Sequence, residues 1–401
     1  MRFSHRTKRS LLKLVEPELA LLWSLYRLVT GRRSWPFDPA RILIVRLDSI
    51  GDVLLSEPAI AALRTRYPHA QLDMVTSKAG REIMGDSPYV DRYILYEGPW
   101  HAAWRGNRVQ WRHEGPRLWR ALKTLRAGHY DMAVELRGDI RDIVFTALAG
   151  PRFIVGSPIR GGRALLDRVG PTDESEHRVE FNLAIAAAVG AQAPPTRPRL
   201  IPPAGARQLA RQWLTEDGVD YIAVHLGAGF VSKQVPVATY AEALRPLASP
   251  EQGRRLVLIG GPDERPLADE FVSLMPYACL DLVGRASLME TTAVLERCRL
   301  FVGNDSGPMH MAASVGTPVV AAFGPSPAGS YGPYGVPHRI VSLNFPCSPC
   351  DQVHCIFRDD PYRCVTTIPP RAIAEAIESL LDEGMWYETS AVAVAPSSGD
   401  A

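Results

Sequence analysis

Short apolar runs recur along the chain and alternate with longer segments whose apolar residues are spaced as on one face of a helix. The apolar runs have the length of buried strands and lie at 41–46, 71–76, 130–135, 153–155, 221–226, 255–259, 280–283, 300–302 and 319–323. The helical segments lie at 53–67, 180–189, 239–247, 265–274, 287–297, 308–315 and 371–381. Strands that alternate with helices predict an α/β fold with parallel sheets and helices on both faces.

A proline-rich join at 193–203 separates two halves with this pattern, and 401 residues exceed one ordinary core. We therefore predict two Rossmann-like domains, residues 41–195 and 196–370, followed by a closing helix at 371–385. Residues 386–401 are predicted to be a disordered tail. The carboxyl-end loops of two such sheets are expected to face a common cleft, where parallel sheets bind their ligands.

Composition narrows the class of protein. A hydrophobic fraction of 46% and a charged fraction of 22% are typical of a globular protein. A formal net charge of +2 gives no reason to expect a nucleic-acid partner. No apolar run approaches the roughly 20 residues that a membrane-spanning helix needs.

Residues 1–40 are predicted to be a basic, amphipathic, helical extension, broken near Pro17. Eight arginines and lysines surround an apolar set that lacks the clean centre and the cleavage site of a signal peptide. Two interpretations remain open. The extension docks on an anionic membrane face, or it packs on the protein body with a solvated basic rim.

The most informative stretch follows the strand at 300–302. Asp305, Ser306 and Gly307 are turn and cap residues, and the proline after them suits the first turn of a helix. The free N–H groups and the positive dipole end of such a helix favour a phosphate. His310 lies a few residues into the helix, where it reaches the phosphate or serves a structural role.

A glycine loop follows the strand at 221–226 and predicts a second part of the phosphate site. Gly227 and Gly229 allow close approach of the backbone, and Ser232 and Lys233 suit a diphosphate. Lys233 would offset the charge of a leaving group, and the alternative is a solvated surface lysine. A dinucleotide fingerprint is not indicated, because the third glycine is absent.

The loop from Gly260 to Glu264 is the third candidate. Asp263 and Glu264 are placed to accept hydrogen bonds from ribose hydroxyls of a bound nucleotide. The alternative is that both acids only complement the dipole of the helix that follows.

The first strand leads into Ser49-Ile-Gly-Asp52, which offers a carboxylate at a loop facing the expected cleft. A carboxylate at such a loop end can act as a general base. Asp52 is the candidate, Asp48 is its rival, and the alternative for Asp52 is a helix cap. Gly51 lets a ligand approach the backbone closely.

Four cysteines lie close together at Cys347, Cys350, Cys355 and Cys364. The spacing of the first pair is that of a zinc knuckle, so a structural zinc site is one interpretation. Disulfides and free thiols are the others, and disulfides are uncommon in the cytosol.

Aromatic and basic residues share the stretch from Trp100 to Arg126. That combination suits stacking on sugar rings and gripping anionic groups, and the alternative is an irregular insertion with buried tryptophans. Arg137 and Arg141, after the next strand, would form the other lip of an acceptor site.

These segments, taken in order, resemble the motifs of glycosyltransferase family 9, the ADP-heptose:lipopolysaccharide heptosyltransferases. The resemblance covers residues 41–384 and rests on Ile44–Pro58, Gly227–Pro236, Gly260–Glu264 and Asp305–His310. One departure is that the family's Lys-x-Trp-Pro reads Lys-Gln-Val-Pro here, with a valine in place of the tryptophan.

The resemblance implies a GT-B fold, an inverting sugar transfer, no metal requirement for catalysis, and Asp52 as the base. The implied donor is a nucleotide sugar, with ADP-heptose favoured. The implied acceptor is a lipopolysaccharide-core or other envelope saccharide or glycolipid, with Ser49 and Gly51 on its side of the cleft. The expected location is the cytoplasmic face of the inner membrane, with peripheral contact to anionic lipid. The alternatives are a sugar-nucleotide epimerase of the same architecture and a non-catalytic nucleotide-binding protein.

Overall fold

The computed structural model describes Trp23 and residues 38–85, 87–100, 111–173, 176–216, 218–247 and 252–382. In these ranges the chain forms two six-stranded sheets in which all neighbouring strands are parallel. The strands are β1 (Arg41–Val45), β2 (Gln71–Thr76), β3 (Arg92–Leu95), β4 (Met132–Glu135), β5 (Ile154–Gly156), β6 (Arg168–Val169), β7 (Asp220–His225), β8 (Arg254–Leu258), β9 (Leu280–Asp281), β10 (Leu300–Asn304), β11 (Val319–Phe323) and β12 (His338–Ser342).

The strand order is β3-β2-β1-β4-β5-β6 in the first sheet and β12-β11-β10-β7-β8-β9 in the second. Each order reverses direction once, between β1 and β4 and between β10 and β7. Ligands of such sheets bind outside the carboxyl ends of the strands at this switch point. The predicted α/β fold with two Rossmann-like sheets is confirmed.

Helices connect the strands and cover the sheets. Their bounds are α1 (Ile50–Leu55), α2 (Glu57–Arg66), α3 (Lys78–Met84), α4 (Trp111–Ala127), α5 (Ile140–Leu148), α6 (Arg178–Ala187), α7 (Ala204–Trp213), α8 (Val237–Leu244), α9 (Arg265–Leu274), α10 (Leu288–Leu295), α11 (Gly307–Val315), α12 (Ala328–Tyr331), α13 (Arg363–Thr366) and α14 (Pro370–Asp382). Short 3₁₀ turns lie at Arg163–Leu165, Val231–Lys233 and Pro262–Glu264.

The first strand shows why the sheet forms. Ile42 and Ile44 are fully buried in one apolar cluster, and Leu43 and Val45 are fully buried in another on the opposite face. A strand covered on both sides needs a continuous apolar run rather than an alternating one. That is the pattern which predicts a central parallel strand.

The two halves share an apolar core. One cluster joins Leu54 of α1 and Ile60 of α2 to Met309 and Ala312 of α11 in the second half. Helix α1 packs against α11, so the element that follows the first strand crosses to the second half. This contact brings the two switch points together.

The structure departs from the predicted elements in two ways. The single helix predicted at 53–67 is two helices that meet at Ser56, whose Oγ donates to the Val53 carbonyl (2.6 Å). Strands β3, β6 and β12 were not predicted, because these edge strands are partly exposed and lack a long apolar run.

Trp23 is the only residue of 1–37 that the structure describes. It is helical and partly buried, and it packs against a cluster that includes Ile143, Ala147 and Leu165 of the first half. This one residue therefore contacts the protein body, and the choice between the two interpretations of the extension stays a prediction. The rest of the predicted basic extension and the predicted tail at 386–401 lie outside the described residues.

Among the described helices, none is both long enough and apolar enough to cross a bilayer.

Candidate active site

The two switch points open into one cleft of about 960 Å³. The first half contributes the loop from Arg46 to Asp52, and the second half contributes Lys233 and the start of α11. Residues from the two sheets therefore face one another across the same space.

Asp52 lies in the first turn of α1, and its side chain is 26% exposed. Its carboxylate accepts from the Ser49 hydroxyl (2.6 Å) and from Arg46 Nη2 (3.3 Å). Burial alone would raise the pKa of Asp52, but the Arg46 guanidinium and the Ser49 hydroxyl outweigh it and hold the pKa at about 2. The carboxylate is ionised at neutral pH, and these partners are side chains rather than the first-turn N–H groups that a helix cap would use.

Asp48, the rival carboxylate, is almost fully buried between two arginines. It pairs with Arg46 Nε (2.9 Å) and with Arg137 Nε (3.6 Å). Arg137 also pairs with Asp142 (3.4 Å). Both carboxylates line the cleft, but the Asp48 side chain is 6% exposed and held in an ionic network that supports the loop, whereas the Asp52 side chain is 26% exposed.

The opposite wall is the start of α11. Ser306 is the N-cap, but its side chain makes no cap bond, and Gly307 and Pro308 form the first turn. The side chain of Ser306 therefore does not cap the first N–H groups of this nine-residue helix, and Ser306, Gly307 and Pro308 all line the cleft. Lys233 Nζ pairs with Asp305 Oδ2 (2.7 Å) and lies beside them.

His225, at the end of β7, links two of the candidate loops. Its Nδ1 lies 3.1 Å from Ser306 Oγ, and its Nε2 lies 3.2 Å from Glu264 Oε2. Glu264 also accepts from the Gly261 N–H (2.8 Å). A Cβ on Gly227 would overlap the Glu264 carboxylate, so a larger residue there would have to displace the Glu264 side chain from His225. The His225 ring thus links the side chains of Ser306 and Glu264 through hydrogen bonds.

His310 is buried on the second turn of α11, directly beneath Gly51. Burial lowers its pKa to about 4, against the opposing effect of Asp305 and Asp52. The imidazole is therefore neutral at neutral pH, and its Nδ1 has no hydrogen-bond partner among the described residues.

Some of the other predicted site residues line the cleft, and some lie behind its wall. Ser49, Gly51, Gly229 and Arg137 line the cleft together with the residues above. Four candidates do not line it: Gly227, Ser232, Asp263 and Arg141. Arg141 pairs with the helix-capping Asp139 (2.7 Å), so it does not form the predicted lip. Ser232 is buried behind the loop.

Sequence reasoning missed Arg178 and Tyr331. Arg178, at the start of α6, donates from Nε (3.1 Å) and Nη2 (3.0 Å) to the Tyr331 hydroxyl of the second half. Both residues line the cleft, and the positive charge of Arg178 helps to lower the pKa of Asp52. The only sequence signal for Arg178 was its position at the start of a mostly apolar helix.

The stretch from Trp100 to Arg126 is partly core and partly cleft wall. Trp100 is a packed aromatic whose Nε1 donates to Asp142 (2.8 Å), as the interpretation with buried tryptophans expects. His113, Glu114 and Arg117 of α4 line the cleft, whereas Trp119 is 64% exposed on the outer surface. Trp104 lies outside the described residues.

The valine that replaces the family's tryptophan does not face the cleft. Val235 is fully buried in the core of the second sheet. Its N–H donates to Asn304 Oδ1 (3.1 Å), which also accepts from Tyr240 (2.9 Å). The departure is therefore a change in core packing beneath the Lys233 loop.

The four clustered cysteines are free thiols, so disulfides between them are not observed. Burial raises the pKa of Cys364, and its neighbours Cys350, Cys347 and Cys355 raise it further. Among the described residues, no three histidines, cysteines or acids are placed to hold a metal ion.

Two Rossmann-like parallel sheets whose carboxyl ends enclose one cleft, with a carboxylate on one side and an open helix start on the other, have the architecture of a GT-B glycosyltransferase. The chain belongs to glycosyltransferase family 9 (heptosyltransferase), whose sequence model matches residues 118–359.

Known proteins agree with this assignment. The chain is 27% identical over 363 residues to lipopolysaccharide heptosyltransferase 1 of Pseudomonas aeruginosa, covering 85% of this chain and 98% of that protein. Two solved structures share the fold. A family 9 glycosyltransferase from Veillonella parvula has a TM-score of 0.70 at 21% identity, covering 86% of this chain and 97% of that one. The E. coli ADP-heptose lipopolysaccharide heptosyltransferase II has a TM-score of 0.67 at 22% identity, with 86% and 99% covered.

Proposed function

We propose that this chain is an inverting, metal-independent glycosyltransferase that transfers heptose from ADP-heptose to a lipopolysaccharide-core or related envelope acceptor. One observation carries the proposal. The ionised Asp52 carboxylate and the open start of α11 face each other across a single cleft. A base on one side of a sugar and a diphosphate site on the other is the arrangement that an in-line displacement needs.

In the proposed reaction, an acceptor hydroxyl attacks the anomeric carbon of the donor while Asp52 takes the hydroxyl proton. The bond from the anomeric carbon to the diphosphate oxygen breaks, and the electron pair leaves with ADP. Arg46 and Ser49 hold the carboxylate in place through hydrogen bonds of 3.3 and 2.6 Å. A fixed base avoids the cost of orienting it during the reaction.

The second half would stabilise the leaving diphosphate. Lys233 supplies a positive charge, and the first N–H groups of α11 supply hydrogen bonds. His225 orients the Ser306 hydroxyl toward the same place. Asp305 pairs with Lys233 and so positions that lysine rather than meeting the phosphate itself.

The donor assignment rests on the relatives. The protein from P. aeruginosa is a lipopolysaccharide heptosyltransferase, and the E. coli neighbour is named for ADP-heptose. Glu264 lines the cleft beside the phosphate site, where it can accept from a ribose hydroxyl. The acceptor would enter along the first half, where Arg117, Arg137 and Arg160 line the cleft.

We propose that the charge on the diphosphate is offset by Lys233 and the α11 dipole without a catalytic metal ion. Structural zinc at the four cysteines stays a prediction. Metal analysis of the protein purified without chelator tests it, because about one zinc per chain supports the site and its absence overturns it.

We also propose that the enzyme works at the cytoplasmic face of the inner membrane, where an envelope glycolipid acceptor would be presented.

The test is a product assay with purified chain, ADP-heptose and a heptose-acceptor core saccharide, with and without EDTA. The proposal expects ADP release and a heptosylated product of inverted anomeric configuration, both unaffected by EDTA. Turnover of the donor without acceptor to an isomeric nucleotide sugar would indicate an epimerase instead. ADP binding without any product would indicate a non-catalytic nucleotide-binding protein.

A further inference from the structure

Helix α4 has one apolar side and one side that is mostly basic. Its inner side is apolar, with Ala121, Leu122 and Leu125 buried in the core of the first half. Its sequence holds five basic residues and one acidic residue. The basic residues are all exposed, and they are Arg112, Arg117, Arg120, Lys123 and Arg126.

In the part of the chain that the structure describes, four of these five cations lack the acidic partners found on other helices. Arg265 and Arg371 each pair with a carboxylate one turn along their own helix (2.9 and 2.6 Å). On α4, Glu114 pairs with Arg117 (3.2 Å). Within the described residues, the remaining four cations of α4 form no ion pair with a carboxylate. The outer face of α4 is therefore an uncompensated positive surface.

Trp119 lies in the middle of this face and is 64% exposed. Trp119 follows Arg112 by seven residues and precedes Lys123 by four, and both of these cations are exposed. Positions separated by four and seven residues share one helix face. A tryptophan among cations is the side-chain combination that settles at the headgroup level of a bilayer.

Each end of the outer face of α4 borders a cavity. At its start, His113 and Arg117 line the active-site cleft. At its end, Lys123 borders a separate cavity of about 340 Å³ that Arg41 and Arg92 also line. The Nε of Arg41 has no acceptor among the described residues. Arg92 pairs with the buried Asp73 (2.6 Å), so Arg41 and Lys123 are the two cations of this cavity whose charge is available to a phosphate group.

We propose that the outer face of α4, with this cavity, docks the enzyme on an anionic lipid bilayer. The helix is about 25 Å long, so a bilayer lying along it would reach from the cavity to the cleft mouth. A phospholipid headgroup phosphate occupies the cavity, Trp119 enters the interface, and the cleft opens next to the membrane surface. The proposal rests on the proposed function, because a membrane-bound glycolipid acceptor is what makes this position useful.

The test is co-sedimentation of the full chain with vesicles. Binding to vesicles of phosphatidylcholine with about 30% phosphatidylglycerol is compared with binding to vesicles of pure phosphatidylcholine. We expect binding to the anionic vesicles and at least about tenfold weaker partition for Arg120→Glu/Lys123→Glu, because each cation near an anionic surface contributes strongly. Arg120→Gln/Lys123→Gln should lie between the two, and Trp119→Ala should weaken binding several-fold.

Arg211→Glu/Arg297→Glu is the matched control, since it makes the same change in net charge on exposed residues of the second half. It should bind vesicles nearly as the wild type does. Equal loss in the control would show an effect of net charge alone, and unchanged binding of the α4 variants would show that another segment, such as the basic residues 1–37, carries the contact. Either result overturns the proposal.

A thermal shift with ADP on the same samples separates this inference from the proposed function. All variants should keep the wild-type response, which also shows that they are folded. A wild type that binds anionic vesicles through α4 but does not respond to ADP would contradict the proposed function and leave the docking surface standing.

Discussion

The imidazole of His310 fills the space in which a side chain on residue 51 would lie. A Cβ added to Gly51 would stand 2.5 Å from His310 Cδ2 and 3.1 Å from Nε2. Gly51 immediately precedes Asp52, and His310 lies on the helix whose first turn forms the proposed phosphate site. The contact therefore sets the distance between the proposed base and the proposed leaving-group site.

Gly51→Ala should lower kcat by about 10²-fold, because shifts of about 1 Å in reacting groups have effects of that size. The donor KM should change less, since the second half keeps its own contacts. Steady-state kinetics with ADP-heptose measure both values. Gly205→Ala, in a helix where an added Cβ meets nothing within 4 Å, is the control and should be neutral.

The double variant Gly51→Ala/His310→Ala decides whether the clash is the cause. Removing the imidazole should make the alanine at 51 less harmful than it is in the wild-type background. Equal effects of Gly51→Ala in both backgrounds would contradict the steric argument.

Asp52→Asn should lower kcat by about 10²–10⁴-fold, the usual contribution of a general base. ADP affinity should stay near the wild-type value, because Asp52 lies on the acceptor side of the cleft. Calorimetry with ADP and a product assay measure the two effects. Asp48→Asn is the informative comparison, and a larger loss there than at Asp52 would reverse the assignment of the base.

The pH profile of the wild type should agree with a strongly acidic Asp52. Its pKa of about 2 keeps the base ionised down to low pH, so kcat/KM should not fall on the acid side near the ordinary pKa of an aspartate. Arg46→Met should raise the pKa of Asp52 by removing its closest positive charge, and an acidic limb should then move upward. A wild-type limb near pH 4 that Arg46→Met does not shift would argue against this pairing.

Lys233→Ala should lower kcat by about 10²–10³-fold and weaken ADP binding, because it removes the charge beside the diphosphate and leaves the buried Asp305 unpaired. Lys233→Arg should recover part of the loss. Asp305→Asn in the Lys233→Ala background separates the two causes. If it restores ADP affinity, repulsion by the unpaired carboxylate accounts for that part of the loss.

Glu57 predicts a pH-dependent stability. Burial raises its pKa to about 7, although its carboxylate accepts from the Arg199 N–H (3.0 Å). The folded state therefore holds a proton that the unfolded state loses near pH 4.5. The stabilising contribution is complete below pH 4.5, decreases between pH 4.5 and 7, and is constant above that.

Glu57→Gln removes this titration and keeps an oxygen for the Arg199 N–H. At pH 8 it should raise the free energy of unfolding by about 2–3 kcal/mol relative to the wild type, and at pH 4 it should make little difference. Denaturant unfolding at the two pH values measures this. Glu378→Gln, an exposed glutamate on α14, is the control. A gain that is equal at both pH values would exclude protonation of Glu57 as its source.

The sequence predicted the buried parts of this fold better than its edges. Strand β11 has the predicted bounds, since its run of apolar residues is covered on both faces and leaves a clear pattern. Strand β2 also has the predicted bounds, although the buried Asp73 interrupts its apolar residues. Helix α4 was not predicted as a helix. Gly115 and Pro116 lie within it, and both residues usually indicate a break.

The sequence also predicted only part of the candidate site. Asp52, Lys233 and Ser306 follow strands in local motifs, and all three lie at the two switch points of the structure. Arg178 and Tyr331 meet across 153 residues, and neither stands in a motif that points to the other. Contacts between the halves depend on how the sheets pack, which no local pattern records.

Helix α1 follows the first strand in sequence but packs on α11 of the second half. The proposed base and the proposed phosphate site are thus brought together by this contact. A donor held by the second half alone would meet the groups that stabilise departing ADP but no group to activate a nucleophile. If the halves separated, a bound donor would stay intact, and the activated sugar would not be hydrolysed.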